Sequence, residues 1–161
     1  MWGAVGYRPA AMQRRLLIGT YECSLDDRFR LAIPARLRGP FADGTTVARW
    51  LDPCLVLVPT DDFDRFIEET FGRLTVLEPE QRELSAWILG GAFHQPPLDR
   101  QGRLVIPQKL RELAGLDGQV EVVGAGGYLE VWNPERLEKR FDELEREGVS
   151  NRAKRLAERL A

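Results

Sequence analysis

Cysteine, histidine and long apolar runs are scarce in this chain, and each shortage closes off a class of function. Two cysteines, Cys23 and Cys54, stand far apart with no CxxC spacing, and His94 is the single histidine. A structural zinc site takes four such ligands, so no metal is expected, and two lone thiols suit a reducing cytosol better than an oxidising compartment. The longest apolar runs, "CLVLV" at 54–58 and "AWILGGAF" at 86–93, fall far short of the roughly 20 residues that span a bilayer. Arg14 and Arg15 precede "LLIG" as in a signal peptide, but the apolar stretch stops after three residues at Gly19. No secretory leader is therefore expected, and the chain reads as cytoplasmic with no membrane role. HExxH, GxSxG and phosphate-binding glycine loops are all missing, which leaves scattered carboxylates of the kind every soluble protein carries. The expectation is a non-enzyme with no cofactor and no small-molecule substrate.

An excess of positive charge is also lacking. The formal net charge is −2, which argues against a protein that coats nucleic acid indiscriminately. Basic residues are nevertheless concentrated. "LDDRFRLAIPARLR" (25–38) has four arginines against two aspartates, and "LDRQGRLVIPQKLR" (98–111) has three arginines and a lysine against one aspartate. These segments are copies of each other: eight of fifteen aligned positions (25–39 against 98–112) are identical. The balancing acid lies in "TDDFDRFIEE" and "PERLEKRFDELERE".

The repetition continues downstream. "TTVARWLDPCLVLVP" (45–59) and "QVEVVGAGGYLEVWN" (119–133) both read as strand, turn, strand. Each leads into an acidic amphipathic helix, with Phe63, Phe66 and Ile67 apolar in the first and Leu137, Phe141 and Leu144 in the second. Each repeat thus reads as β–short helix–β–turn–β–helix. Pro107 starts the short helix "QKLRELA" and Gly115 ends it, while Asn133-Pro134 is a helix start with an asparagine cap. "EPEQRELSAWILGGAF" reads as a further helix with Leu84, Trp87, Ile88 and Phe93 mostly on one side, and His94 falls at a loop or helix end. The expected organisation is an extension at 1–15, a first repeat at 16–72, a connecting helical segment at 73–93, a second repeat at 94–147 and a basic amphipathic helix at 148–161. Two fifty-residue repeats of short strands cannot each build a core. Interleaving them in one pseudo-twofold α+β domain solves this and brings the two arginine segments together.

The duplicated DxxxR and IPxxLR, with "AGLDGQVEVVGAGGYLEVW", resemble the MraZ family of bacterial transcriptional regulators over roughly residues 16–145. The resemblance implies an AbrB-like swapped-hairpin barrel with flanking helices, homo-oligomeric rings and nucleoid association. It also implies repression of a cell-division and cell-wall gene cluster through tandem G-containing direct repeats in double-stranded DNA. Residues corresponding to the family's DNA-contacting arginines are Arg30 and Arg103. One position departs from the pattern. The family usually has glycine before the motif arginine; Gly102 keeps it, but Phe29 stands there in the first repeat. A side chain resists positive φ, so the first loop is expected either to differ in shape or to have a weaker DNA role. Met12 stands as an alternative start, and "SNRAKRLAERL" lies beyond the resemblance.

Arginine's planar fork donates two hydrogen bonds to O6 and N7 of guanine, which makes Arg30 and Arg103 the leading DNA-reading candidates. The plainer alternative is that each merely pairs with its own aspartate; Asp26, Asp99 and Gly102 are accordingly expected to shape the loops. Arg28, Arg100 and Gln101 lie within the same loops as further DNA candidates. Arg36, Arg38, Lys109 and Arg111 follow the prolines, where phosphate contact competes with an ordinary solvated face. The tryptophans read as packing residues, since no basic–aromatic alternation surrounds them. Rival readings are an AbrB-like antitoxin-type regulator and a protein-interaction scaffold that does not bind DNA.

Overall fold

A computed structural model of the chain describes residues 15–72 and 77–161. The expected N-terminal extension, apart from Arg15, and the alternative start at Met12 lie outside the described residues, as does part of the 73–93 connection. The first repeat contains β1 (Thr20–Ser24), β2 (Arg30–Ala32), β3 (Thr45–Arg49), β4 (Leu55–Pro59) and α1 (Phe63–Phe71). After α2 (Pro79–Leu89), the second repeat contains β5 (Phe93–Gln95), β6 (Arg103–Val105), α3 (Gln108–Ala114), β7 (Gln119–Gly124), β8 (Leu129–Trp132) and α4 (Pro134–Glu147). Helix α5 (Val149–Leu160) follows a single intervening residue, Gly148.

The strands form two antiparallel sheets in an α+β fold. The larger has the order β1-β7-β8-β4-β3-β5, and the smaller pairs β2 with β6. Exchanging the two repeats reverses the larger order onto itself: β1 corresponds to β5, β7 to β3 and β8 to β4. The first strand of each repeat pairs with the third strand of the other, so the repeats are interleaved as the duplication predicts. At the centre, β4 is buried throughout, which explains its unbroken apolar run.

Alternation along β4 also shows the layering. Leu55 and Leu57 join one core cluster, while Val56 and Val58 join a second. The first cluster lies under the β2–β6 ladder and α3, through Leu31, Ile33, Leu104, Ile106 and Leu110. The second lies under the helices, through Phe63, Phe66, Ile67, Ile88 and Leu137. The larger sheet therefore separates the arginine segments from the acidic helices. Trp50 and Trp132 pack in the second cluster.

Local signals explain most of the element ends. Pro107 precedes α3, and Gly115 ends it in the left-handed conformation at φ 64°. The Asn133 side chain accepts from the N–H groups of Glu135 (2.9 Å) and Arg136 (3.2 Å) at the start of α4. Three expectations need correction. The short helix of the first repeat is two 3₁₀ turns, Ala35–Leu37 and Gly39–Phe41, because Gly39-Pro40 stands where the second repeat has Glu112-Leu113. Helix α2 stops at Leu89 before Gly90-Gly91, so Phe93 and His94 lie in β5, paired with β3. On α4 only Leu137 of the expected apolar trio is buried, and Phe141 is 45% exposed.

Leu31 and Leu104 face each other at the middle of the β2–β6 ladder and are almost fully buried. Leu31→Ala is expected to cost about 2–5 kcal/mol, read as a lower urea midpoint at unchanged m value.

Candidate nucleic-acid interface

The β2–β6 register places Arg30 opposite Val105, Leu31 opposite Leu104 and Ala32 opposite Arg103. Side chains alternate across a strand, so the inward leucines send Arg30, Ala32, Arg103 and Val105 to the outer face. The ladder is continued symmetrically at both ends. Ile33 N–H donates to the Gly102 carbonyl at 2.9 Å, and Ile106 N–H donates to that of Phe29 at 3.0 Å. Both arginine loops thus lie side by side on one surface.

Each loop is built by its aspartate. In the first, one Asp26 oxygen accepts from the backbone N–H groups of Arg28 and Arg30, both at 2.9 Å, and the other accepts Arg30 Nε at 2.7 Å. In the second, Asp99 accepts from the N–H groups of Gln101 and Arg103, both at 2.9 Å, and from Arg103 Nε at 2.8 Å. The main-chain turn repeats as well: Phe29 N–H donates to the Asp26 carbonyl as Gly102 N–H donates to that of Asp99. Such side-chain-to-backbone bonds are the ordinary means by which aspartate closes a turn. Both carboxyls are held below the usual aspartate range, first by the backbone N–H of Arg30 or Arg103, with the side chain of that arginine and the N–H of Arg28 or Gln101 assisting.

The aspartate–arginine pairing raised as the plainer alternative is present, and its geometry matters. It engages Nε, at one edge of the guanidinium. Among the described residues, Arg30's two terminal nitrogens have no partner, and Arg103 lends its own to Gln101 Oε1 at 3.3 Å and to Asp26 at 3.7 Å. Asp26 thereby touches both arginines and couples the two loops. Each arginine side chain is 25% exposed, so a guanidinium oriented at Nε by its aspartate remains partly accessible to solvent. Arg28, Arg100 and Gln101 are exposed in the same loops.

The expectation that Phe29 gives the first loop a different shape is overturned. Phe29 adopts φ 60°, close to the 72° of Gly102, and all the turn hydrogen bonds are kept. A non-glycine residue there costs about 1–2 kcal/mol. Part of this is offset by Arg111, whose guanidinium lies 3.6 Å from the Phe29 ring centroid, a cation–π contact worth about 0.5–1 kcal/mol at an exposed site. Arg38 is its counterpart on the other loop. Its side chain lies so close over Gly102 that a Cβ there would come within 2.1 Å of its Nε. Arg38 Nε donates to the Ile33 carbonyl at 2.6 Å, and Arg111 donates to that of Ile106 at 2.9 Å. Each of these arginines therefore braces the loop of the other repeat. Arg36 and Lys109 are exposed. Sequence reasoning missed the bracing, although the identity of Arg38 and Arg111 in the two copies was its visible trace.

These features define a class: an internally duplicated α+β protein that presents two aspartate-braced arginine loops on one outer face. A family model described as "MraZ protein, putative antitoxin-like" matches residues 16–85 and 88–160. The chain is 39% identical over 136 residues to "Transcriptional regulator MraZ" of Bifidobacterium longum, covering 84% of this chain and 89% of that protein. It is 37% identical over 130 residues to the protein of the same name from Kineococcus radiotolerans, covering 81% and 90%. The one from Thermomicrobium roseum is 35% identical over 146 residues, covering 91% and 98%. The chain belongs to the MraZ family, whose members are non-catalytic regulators, so it is not an enzyme. The match reaches residue 160, so α5 falls within the family pattern rather than beyond it.

Two measurements check this geometry. Gly102→Ala is expected to destabilise by about 1–2 kcal/mol, since it gains a left-handed penalty and displaces Arg38. Phe29→Gly is expected to change stability by less than about 1 kcal/mol, because relief of strain is set against the lost ring contact and added chain entropy; thermal melts compare the two. The carboxyl groups of Asp26 and Asp99, followed by NMR, are expected to titrate below about pH 3.9. A depressed folded-state value means that their stabilising contribution is complete above that pH and is lost as pH falls through the folded value. Asp26→Asn and Asp99→Asn each flatten this acid limb.

Proposed function

We propose that the chain is a transcriptional regulator that reads double-stranded DNA through Arg30 and Arg103. The observation that carries this reading is the shared mode of holding the two arginines: Nε fixed by an aspartate, the side chain a quarter exposed, and both loops on one face. A pre-oriented fork loses less entropy on meeting guanine O6 and N7 than a free side chain does. Arg28, Arg100 and Gln101 add base or phosphate contacts around it, Asp26, Asp99 and Gly102 shape the loops, and Arg36 and Lys109 reach toward the backbone. Arg38 and Arg111, candidates for either phosphate contact or an ordinary solvated face, contribute chiefly by bracing the loops.

The interleaved strand order supports the swapped-hairpin, AbrB-like architecture, and the relatives' name, "Transcriptional regulator MraZ", supports the regulatory role. In this reading the protein is a nucleoid-associated, cytoplasmic repressor of a cell-division and cell-wall gene cluster. It assembles as a homo-oligomeric ring that engages tandem G-containing direct repeats. Repeating the loop pair around a ring raises avidity by factors of about 10²–10⁴, which lets an acidic chain bind DNA. No helix of the described residues is long and apolar enough to cross a membrane.

The test is anisotropy with tandem G-containing repeats and a scrambled duplex across a salt series. Arg30→Ala and Arg103→Ala are each expected to lose roughly 5- to 150-fold of the preference for the repeats, matching about 1–3 kcal/mol per guanine contact. Because the two loops share one shape, similar losses are expected from each. Retained preference in the double variant removes the base-reading role. Binding of protein partners but of no duplex at any salt favours the scaffold reading.

A further inference from the structure

Helix α5 is an unpartnered amphipathic helix. None of its residues is buried, with Val149 54%, Leu156 48% and Leu160 77% exposed. At spacings of seven and four these three fall on one stripe. Arg152, Arg155 and Arg159 form a row at i, i+3 and i+7 along one flank of it. A helix with an apolar stripe and a row of arginines fits a surface with an apolar strip and a row of acids.

Helix α4 carries that surface. Phe141 is 45% exposed, and Glu138, Asp142 and Glu145 lie exposed at i, i+4 and i+7 along its flank. The two helices cannot satisfy each other within one chain. Antiparallel helices need a connection of about two to five residues, and Gly148 alone joins α4 to α5. An ion pair between Arg152 and Glu147 spans the junction, but among the described residues no ion pair joins Arg155 or Arg159 to Glu138, Asp142 or Glu145.

We propose that α5 of one copy docks on α4 of a neighbouring copy, with the arginine row against the acidic row and Leu156 and Leu160 against Phe141. The occupant is a second copy of this chain because the complementary surface is its own. The contact rests on the homo-oligomer reading above and supplies it with an interface. It lies on the helical side of the larger sheet, so assembly leaves the arginine loops uncovered.

The test uses full-length chains and light-scattering masses. One variant reverses the arginine row (Arg152→Glu, Arg155→Glu, Arg159→Glu), and the other reverses the acidic row (Glu138→Arg, Asp142→Arg, Glu145→Arg). All six positions are exposed, and circular dichroism checks that the fold survives. Each variant alone is expected to show at most half the wild-type mass, and an equimolar mixture to regain mixed assemblies. Wild-type mass in both variants overturns the contact while sparing the ring reading. Mass lost in the arginine-row variant but not regained in the mixture also overturns it, since α5 then docks elsewhere. A monomeric wild type overturns both. Unchanged assembly with lost DNA binding in the arginine-row variant overturns it in favour of α5 as a DNA arm.

Discussion

The three-residue antiparallel pairing of β2 with β6 is the constraint on which the rest of the molecule depends. It joins the two repeats at their internal symmetry axis, with Leu31 and Leu104 turned into the core. Strand side chains alternate, so burying the leucines is the same act as exposing the arginines. A slip of one residue would drive Arg30 and Arg103 into the apolar cluster and bring the leucines out. Core and site therefore enforce a single register, and neither repeat can display its loop without the other.

The loops show how one turn shape survives a residue change between the two repeats. Phe29 occupies a backbone conformation that favours glycine, yet the turn is intact because Asp26 accepts both main-chain N–H groups and Arg30 Nε. The aspartate supplies enough local bonding to hold the strain. The bracing arginine adapts as well: Arg111 lies over an aromatic ring, whereas Arg38 occupies the space that a missing Cβ leaves at Gly102. The two loops reach one shape by two packing solutions.

Charge is sorted by layer. The arginine loops lie over one face of the larger sheet, and the acidic helices α1 and α4 lie over the other. Packed layers are about 10 Å apart, so the two charge sets are separated by more than one Debye length of roughly 8 Å at physiological salt. The small net charge of −2 conceals this separation. Each face can meet its own partner with little interference from the other.

Periodicity and duplication made much of this legible in the sequence. The repeat predicted the pseudo-twofold interleaving and the meeting of the two arginine segments. Proline, glycine and asparagine placed α3 and α4, because their effects are confined to neighbouring residues. Tertiary structure decided what depends on residues distant in sequence. That includes the left-handed Phe29 beneath Arg111, the ending of α2 so that Phe93 and His94 pair with β3, and the partial exposure of the apolar face of α4. The same limit applied to Arg38 and Arg111: their identity in the two copies was visible, but the contact each makes lies in the other repeat. Local sequence determines local conformation through short-range sterics and hydrogen bonds, as in the Asp26–Arg30 and Asp99–Arg103 pairs, whereas the contacts of Arg111 with Phe29 and of Arg38 with Gly102 form only when the interleaved chain closes on itself.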